Sequence, residues 1–390
     1  SGYPGSGQPV RRDFIMRIRI VCYPSYGGSG VVATELGKQL AKRGHEIHFI
    51  TYERPFKLTK FYENIYFHEV EEVQYPVFKH TPYLLSLANK ILAVTRHANL
   101  DLLHVHYAMP HSISAFLAKQ MLRERSLPVI TTLHGTDISL VGVQEEFFDI
   151  TRFGIEASDG VTSVSAALTR ETRETFGMDR EIATIYNFID PEEYRRLDLP
   201  GLRDKFARPG EKIVIHISNF RPVKRICDVV KTFQLVQQEI PAKLLLIGDG
   251  PEIGNAEKCT SQGGLEDKVI FLGKQESVIE LLSIGDLFLL PSEKESFGLV
   301  GLEAMACEVP VIAGNVGGIP EVIKDGQTGY IVPVGEVESM AAKAMDILGN
   351  DSLREKMAKE ARRWAVEKFH VDQIIPQYEE FYLKIKKTVR

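Results

Sequence analysis

The sequence lacks the features that mark several large classes of protein. Its four cysteines, Cys22, Cys227, Cys259 and Cys307, lie far apart and show no Cys-x-x-Cys spacing. This arrangement argues against structural disulfides and zinc knuckles, and it favours a reducing, cytoplasmic compartment. No apolar run approaches the roughly 18 to 20 residues of a membrane-spanning helix, so we expect no stable membrane association.

An excess of positive charge is also missing. The chain has 47 Lys and Arg residues against 52 Asp and Glu residues, for a net charge of -5. Without a strongly basic half, a nucleic-acid surface is not expected. The length of 390 residues is enough for two or three domains. The length predicts no oligomeric state, so a homo-oligomer stays an alternative to a monomer.

Residues 1–15 are polar, rich in Gly and Pro, and contain no apolar core of a signal peptide. We interpret them as a cloning remnant or a disordered arm. From Met16 onward, short apolar runs alternate with amphipathic stretches, which is typical of an α/β fold with parallel sheets covered on both faces. The predicted strands of the first half are residues 18–23, 46–51, 101–107, 128–134 and 160–165.

The same alternation starts again at residue 212, after the turn formers Asn187, Asp190 and Pro191. Two consecutive α/β units are better explained as two domains than as one sheet of ten strands. The predicted strands of the second unit are 212–218, 242–250, 268–273, 286–292 and 309–314. Near the C-terminus, Pro376 is expected to kink or divide a long helix. Because ligands of parallel sheets bind beyond the carboxyl ends of the strands, the functional residues should follow these runs.

Two strand-end segments of the first unit are candidates. In YPSYGGSG, residues 23–30, Gly27 and Gly28 would let backbone amides approach an anion at a helix start, although a plain tight turn is equally compatible. His134 in LHGTD stands where a ligand is expected. The pair His104 and His106 could share a face, but no zinc-like spacing supports a metal there.

In the second unit, SNFRPVKR places Arg221, Lys224 and Arg225 at the start of a helix. Three cations oppose the helix dipole unless an anion is held there, so this loop predicts a phosphate partner; the alternative is a solvated basic loop. In PSEKESFGLVGLEA, Glu295 and Glu303 are eight residues apart. Carboxylates accept hydrogen bonds from hydroxyl groups, which suits a polyol ligand.

In their order along the chain, these motifs resemble the retaining glycosyltransferases of family 4. The most specific element is the pair of glutamates with seven residues between them, and YGGSG, HGTD, NFIDPEEY, SNFRPVKR, IGDGPE and VGGIPEVI accompany it. The resemblance spans Met16 to the C-terminus. It implies the GT-B fold, with two Rossmann-like parallel-sheet domains facing across a cleft and a C-terminal helix that crosses back to the first domain. The acceptor-side domain would comprise residues 16–187 and 372–390, and the nucleotide-sugar domain residues 188–371.

The resemblance also implies roles for the donor site. Glu303 would bind the ribose hydroxyls, Glu295 the donor sugar and His134 the region of the sugar's 6-hydroxyl, with Lys224 on the diphosphate. Glu295, Lys224 and His134 are the predicted catalytic residues. The other predicted donor contacts are Gly27, Gly28, Asn219, Arg221, Arg225, Ser296, Phe297 and Gly298, together with the amides of Gly317 and Gly318.

Two positions depart from the family pattern. Asn219 stands where an Arg is usual, which leaves open whether Arg221 or Arg225 accompanies Lys224. Glu308 stands where a Gly is common after the helix. The sequence contains no Asp-x-Asp pair, so we expect a metal-independent enzyme without a cofactor.

SNFRPVKR and HVHYAMPH most resemble the branch of the family that transfers N-acetylglucosamine from UDP-GlcNAc to L-malate in bacillithiol biosynthesis. Malate is a dianion, and the predicted acceptor residues are Tyr107, Thr132, Arg152 and Lys79, of which Arg152 suits bidentate carboxylate binding. Alternatives are another acceptor, such as inositol phosphate or a lipid-linked sugar, or a UDP-sugar 2-epimerase. A dinucleotide-binding oxidoreductase is suggested only by the glycine loop, which lacks the usual Gly-x-Gly-x-x-Gly.

Overall fold

The structure is a computed structural model that describes residues 14–24, 27–71, 82–122 and 126–389. Most of the predicted N-terminal arm therefore lies outside the described residues. The chain divides into two compact units. Unit 1 comprises residues up to 164, 168–185 and 375–390, and unit 2 comprises 165–167 and 186–374.

Unit 1 is built on a parallel sheet with seven strands among the described residues, in the order β3-β2-β1-β4-β5-β6-β7. Its strands are β1 (Arg17–Val21), β2 (Glu46–Thr51), β3 (Ile65–Glu69), β4 (Leu102–His106), β5 (Val129–Leu133), β6 (Gly160–Ser163) and β7 (Ala183–Thr184). Its helices are α1 (Gly28–Lys42), α2 (Tyr83–His97), α3 (Ile113–Met121), α4 (Glu145–Ala157) and α5 (Ala166–Phe176). The central strands β4 and β5 are buried along their whole length, because helices cover both faces.

Unit 2 repeats this plan with a parallel sheet of six strands in its described part, in the order β10-β9-β8-β11-β12-β13. Its strands are β8 (Lys212–Ser218), β9 (Ala242–Gly248), β10 (Val269–Gly273), β11 (Leu287–Leu290), β12 (Val311–Gly314) and β13 (Gly329–Val332). Its helices are α6 (Ile226–Glu239), α7 (Ile253–Gln262), α8 (Ile279–Ser283), α9 (Leu299–Ala306), α10 (Ile319–Val322), α11 (Val337–Leu348) and α12 (Asp351–Phe369). Its core joins Phe233 and Val229 of α6 to the buried faces of these strands.

The last helix, α13 (Val371–Thr388), begins in unit 2 and continues into unit 1. The break before it falls at His370, whose ψ of 134° is extended. Pro376 lies inside α13. The prediction that Pro376 divides the helix was therefore wrong, and the division falls six residues earlier.

Two further expectations need correction. Strands β3, β7 and β13 were missed; each lies at an edge of its sheet, β3 is half-exposed, and β7 has only two residues. The expectation of no structural disulfide was also wrong, because Cys227 on α6 and Cys259 on α7 are bonded, with their Cα atoms 5.9 Å apart. The two helices are neighbours in unit 2, a proximity that spacing along the sequence does not reveal.

Among the described residues, no helix combines the length and apolarity that crossing a bilayer requires.

Candidate active site

Three strand-end loops of unit 2 are joined by backbone hydrogen bonds. The amide of Glu293, after β11, donates to the carbonyl of Val223, after β8, over 2.9 Å. The amide of Gly318, after β12, donates to the carbonyl of Glu295 over 3.0 Å. The predicted phosphate, sugar and glycine loops therefore form one surface at the carboxyl end of this sheet.

Glycine is required where the loop after β12 meets the loop after β11. A Cβ at Gly317 would lie 2.0 Å from the carbonyl oxygen of Glu295, and φ there is +48°. A Cβ at Gly318 would lie 2.3 Å from the carbonyl oxygen of Ser296. Because these clashes are with backbone, a side chain at either position would push the two loops apart.

Carboxylates neutralise two of the three cations in the basic loop. Lys224 Nζ lies 2.6 Å from Glu295 Oε2, and both side chains are largely buried. Arg225 Nε lies 2.7 Å from Asp228 Oδ2, and its NH1 group lies 3.5 Å from Glu293 Oε2. Arg221 is exposed and makes no ion pair within the described part of the chain. Of the two candidates to accompany Lys224, Arg221 is thus the one without a carboxylate partner there.

The remaining predicted donor residues of unit 2 lie on α9, in the loop before it, and directly after β8. Glu303 is 8% exposed and lies on this helix. Phe297 is 2% exposed, with its ring 5.5 Å from that of Phe369, so its side chain belongs to the core and only its backbone could contact a donor. Ser296 is partly exposed, and Gly298 caps the helix with φ of 91°. Asn219 is exposed beside the turn at Gly250.

Two polar residues of unit 2, for which the sequence predicted no role, hydrogen-bond to the backbone near the strand ends. His216 on β8 is buried, with Nδ1 2.8 Å from the carbonyl of Leu289 and Nε2 2.9 Å from Ser218 Oγ. Glu321 on α10 accepts hydrogen bonds from the amides of Ala166 and Ala167, at 2.9 and 2.8 Å. The motif VGGIPEVI contains Glu321, but nothing in that motif indicates a partner more than 150 residues earlier.

In unit 1, aromatic and imidazole rings gather where β4 and β5 end. His134 Nε2 lies 2.9 Å from His106 Nδ1, and the ring of Tyr107 stacks on His134 with centroids 5.8 Å apart. Burial, with a smaller contribution from His111, lowers the pKa of His134 to about 3. The imidazole is therefore neutral near pH 7 and can exchange hydrogen bonds with a sugar, but it cannot supply positive charge.

Gly27 and Gly28 begin α1, where Gly27 is the N-cap. Among the described residues, no atom lies within 4 Å of a Cβ built at Gly28. The two residues before Gly27 lie outside the described residues. The first turn of this 15-residue helix lies at the carboxyl edge of the sheet, where backbone amides at a helix start can donate to an anion.

The predicted acceptor residues are in different environments. Tyr107 is half-buried beside His134, whereas Thr132 is fully buried and its Oγ1 lies 2.6 Å from His104 Nε2 and 2.6 Å from Thr162 Oγ1. A role in holding His104 accounts for these contacts better than direct acceptor binding does. Arg152 is on α4 and pairs with Glu156 at 3.0 Å. Lys79 lies outside the described residues.

No group of three metal-ligating side chains occurs in the described part of the chain. His104, one of the two histidines considered for a metal, bonds through Nδ1 to the hydroxyl of Tyr382 on α13, at 2.8 Å. Its two ring nitrogens thus bond hydroxyl groups of Tyr382 and Thr132.

Two family models match the chain. "Glycosyltransferase Family 4" matches residues 26–193, and "Glycosyl transferases group 1" matches residues 202–364. Among curated relatives, the N-acetyl-alpha-D-glucosaminyl L-malate synthase of Bacillus anthracis is 53% identical over 371 residues, covering 95% of this chain and 97% of the relative. A D-inositol 3-phosphate glycosyltransferase of Nocardia farcinica is 30% identical over 213 residues, covering 51% of this chain and 47% of the relative.

Solved structures with the same architecture include HepE of Anabaena in complex with UDP-glucose. It is 21% identical, with a TM-score of 0.81, and the match covers 95% of this chain and 100% of that one. A sucrose-phosphate synthase from Thermosynechococcus elongatus is 20% identical, with a TM-score of 0.81, covering 96% and 100%. Together with the two parallel sheets, these likenesses confirm the predicted two-domain GT-B fold. The cleft between the domains stays a prediction.

Proposed function

The chain belongs to glycosyltransferase family 4, and on that premise we propose that it transfers N-acetylglucosamine from UDP-GlcNAc to the hydroxyl group of L-malate with retention at C1. The observation that carries this choice of substrates is the near-full-length similarity to the malate synthase of Bacillus anthracis. The inositol phosphate enzyme matches only about half of the chain, so inositol phosphate is the weaker candidate acceptor.

The proposed reaction breaks the bond between C1 of the sugar and the diphosphate oxygen, and forms a bond between C1 and the malate hydroxyl oxygen. The proton of that hydroxyl passes to the departing diphosphate, and UDP leaves. Negative charge builds on the diphosphate as the bond breaks. Preorganised cations stabilise this charge more strongly in the transition state than in the bound substrate.

Lys224 and Arg221 supply that positive charge in our proposal, together with the amides of Gly317 and of the start of α1, while the amide of Gly318 stays bonded to the carbonyl of Glu295. Glu295 accepts hydrogen bonds from the sugar hydroxyls, and Glu303 from the ribose. His134, which is neutral, bonds the sugar without adding charge. Because these groups can balance the diphosphate and the sequence has no Asp-x-Asp pair, we propose that the reaction needs no metal ion.

The proposal is tested by incubating the protein with UDP-GlcNAc and measuring UDP release with L-malate, inositol phosphate or no acceptor, each with and without EDTA. We expect release that depends on L-malate and is unchanged by EDTA. Equal release with inositol phosphate would refute the acceptor. Product formation without any acceptor would favour the epimerase alternative, and loss of activity in EDTA would refute only the metal-free claim.

A further inference from the structure

We propose that Asp137 is a positioning residue whose two carboxylate oxygens fix the loop of Tyr107 relative to the loop of His134, and that it thereby sets the affinity for the anionic acceptor. The inference rests on the proposed function, because it takes Tyr107 as an acceptor contact. It concerns the last residue of the motif LHGTD, to which the proposed reaction gives no role.

The two oxygens of Asp137 serve different loops. The side chain is fully buried. Oδ1 accepts from the amides of His134 and Gly135, at 3.1 and 2.9 Å, in the loop after β5. Oδ2 accepts from the amide of Ala108, at 2.9 Å, in the loop after β4. One carboxylate therefore joins the ends of two neighbouring strands.

The backbone next to this contact is strained. Tyr107 has φ of 90° and ψ of 130°, a conformation that residues other than glycine rarely adopt. Its own amide donates to the carbonyl of Thr132 over 3.0 Å, and the amide of the next residue, Ala108, donates to Asp137. These two hydrogen bonds bracket the strained residue. They hold its ring against His134, with an interplanar angle of 19°.

Asparagine at this position would separate the two contacts. It would keep one oxygen, which can still accept from His134 and Gly135, and replace the other with an NH2 group that can only donate. That group would face the amide of Ala108, another donor. The loop after β5 should remain in place. The hydrogen bond from the amide of Ala108, directly after Tyr107, should be lost.

The kinetic test compares the wild type with Asp137→Asn, Asp137→Ala and the control Ser139→Ala. Ser139 Oγ donates to the carbonyl of Gly135 over 3.0 Å, in the same turn as Asp137. We expect Asp137→Asn to raise the KM for L-malate on the order of tenfold to a hundredfold and to leave the KM for UDP-GlcNAc within about twofold. Ser139→Ala should leave the malate KM unchanged. If Asp137→Ala does not fold, the comparison of Asp137→Asn with the wild type tests the proposal.

A second measurement needs no substrate. Hydrogen exchange at the Ala108 amide should be about tenfold faster or more in Asp137→Asn, because a hydrogen bond to a charged group is lost, and unchanged in Ser139→Ala. Unchanged exchange would overturn the proposal whatever the enzyme's acceptor. A variant with lower thermal stability but an unchanged malate KM would also overturn it, as a purely structural role. If the wild type shows no malate-dependent turnover while exchange is accelerated, the proposed function fails and the positioning of Tyr107 stands.

Discussion

Lys224 and Glu295 are ion-paired across two loops of unit 2, with 2.6 Å between Nζ and Oε2. The side chains are 18% and 14% exposed. Both residues are proposed to contact the donor, one at its diphosphate and the other at its sugar. A donor that contacts both groups must replace this ion pair with interactions of its own, which couples the two ends of the binding site.

Removing the charge of Lys224 should affect the chemical step. We expect Lys224→Met to lower kcat/KM for UDP-GlcNAc on the order of a hundredfold to a thousandfold, because a preorganised charge at the leaving group is lost. Lys212→Met is the matched control, since Lys212 Nζ also lies 2.6 Å from a carboxylate, that of Asp351. Initial rates of UDP release measure both variants. Similar losses in the two variants would contradict a specific role for Lys224.

Alanine substitutions of the two glutamates of the donor site should have different effects on UDP affinity. Glu303→Ala should weaken binding of UDP itself, because the ribose loses its acceptor. Glu295→Ala should leave UDP binding equal or tighter, since Lys224 is released from its partner, while turnover of UDP-GlcNAc falls. Isothermal titration with UDP, combined with initial rates, separates the two effects. Glu293→Ala, at the exposed neighbouring carboxylate, is the control. Equal losses of UDP affinity in both site variants would refute the division of roles.

The glycine that is usual in the family at position 308 has a conformational explanation. Glu308 follows α9 and has φ of 60°, the left-handed region in which glycine is favoured at a helix end. We therefore expect Glu308→Gly to raise the free energy of unfolding by about 0.5–1 kcal/mol, as measured by urea denaturation. Glu338→Gly, at an exposed position in the first turn of α11, should instead lower it by a similar amount, because glycine is a poor helix former and an acidic side chain near the helix start is lost. Destabilisation by Glu308→Gly would contradict this explanation.

Stability should fall on mild acidification because several histidines are buried in the neutral form. Burial lowers the pKa of each of these groups, to about 3 for His104 and His134, to about 4 for His111 and His216, and well below the usual value for His106. In the unfolded chain they take up protons below about pH 6.5. The folded state binds fewer protons, so stability is fully present above that pH and is lost as the pH falls towards the folded values.

Urea midpoints at pH 7, 6 and 5 test this dependence. Each histidine contributes at most about 1.4 kcal/mol per pH unit. His216→Gln should reduce the slope by about one such contribution, whereas His97→Gln, at an exposed position of α2, should not. A stability that does not change between pH 7 and 5 would contradict the neutral buried histidines.

Local pattern was sufficient to predict much of the fold. The strand predicted at 46–51 coincides with β2, and the one at 212–218 with β8, because both are short runs rich in Ile that are largely buried in sheet interiors. Strand β3 was missed because an exposed edge imposes no such run. The helix break was misplaced because α13 accommodates Pro376 in its second turn, while the chain breaks at the extended residue His370.

The contacts of the site were less accessible to sequence reasoning. The loop at Lys224 was predicted from its charge, but its pairing with Glu295 depends on β8 and β11 being neighbours in the sheet. The same holds for Asp137 and Ala108, which follow the neighbouring strands β5 and β4. Residue type indicated which groups could bind a donor, whereas strand order decides which of them meet.

The most direct test of the account is the identity of the product. After incubation with UDP-GlcNAc and L-malate, NMR of the purified product should show N-acetylglucosamine joined through C1 to the malate hydroxyl in the α configuration, with one UDP released per molecule formed. A β-linked product would contradict retention. Free N-acetylglucosamine, a 2-epimerised sugar or unreacted malate would contradict the proposed transfer itself.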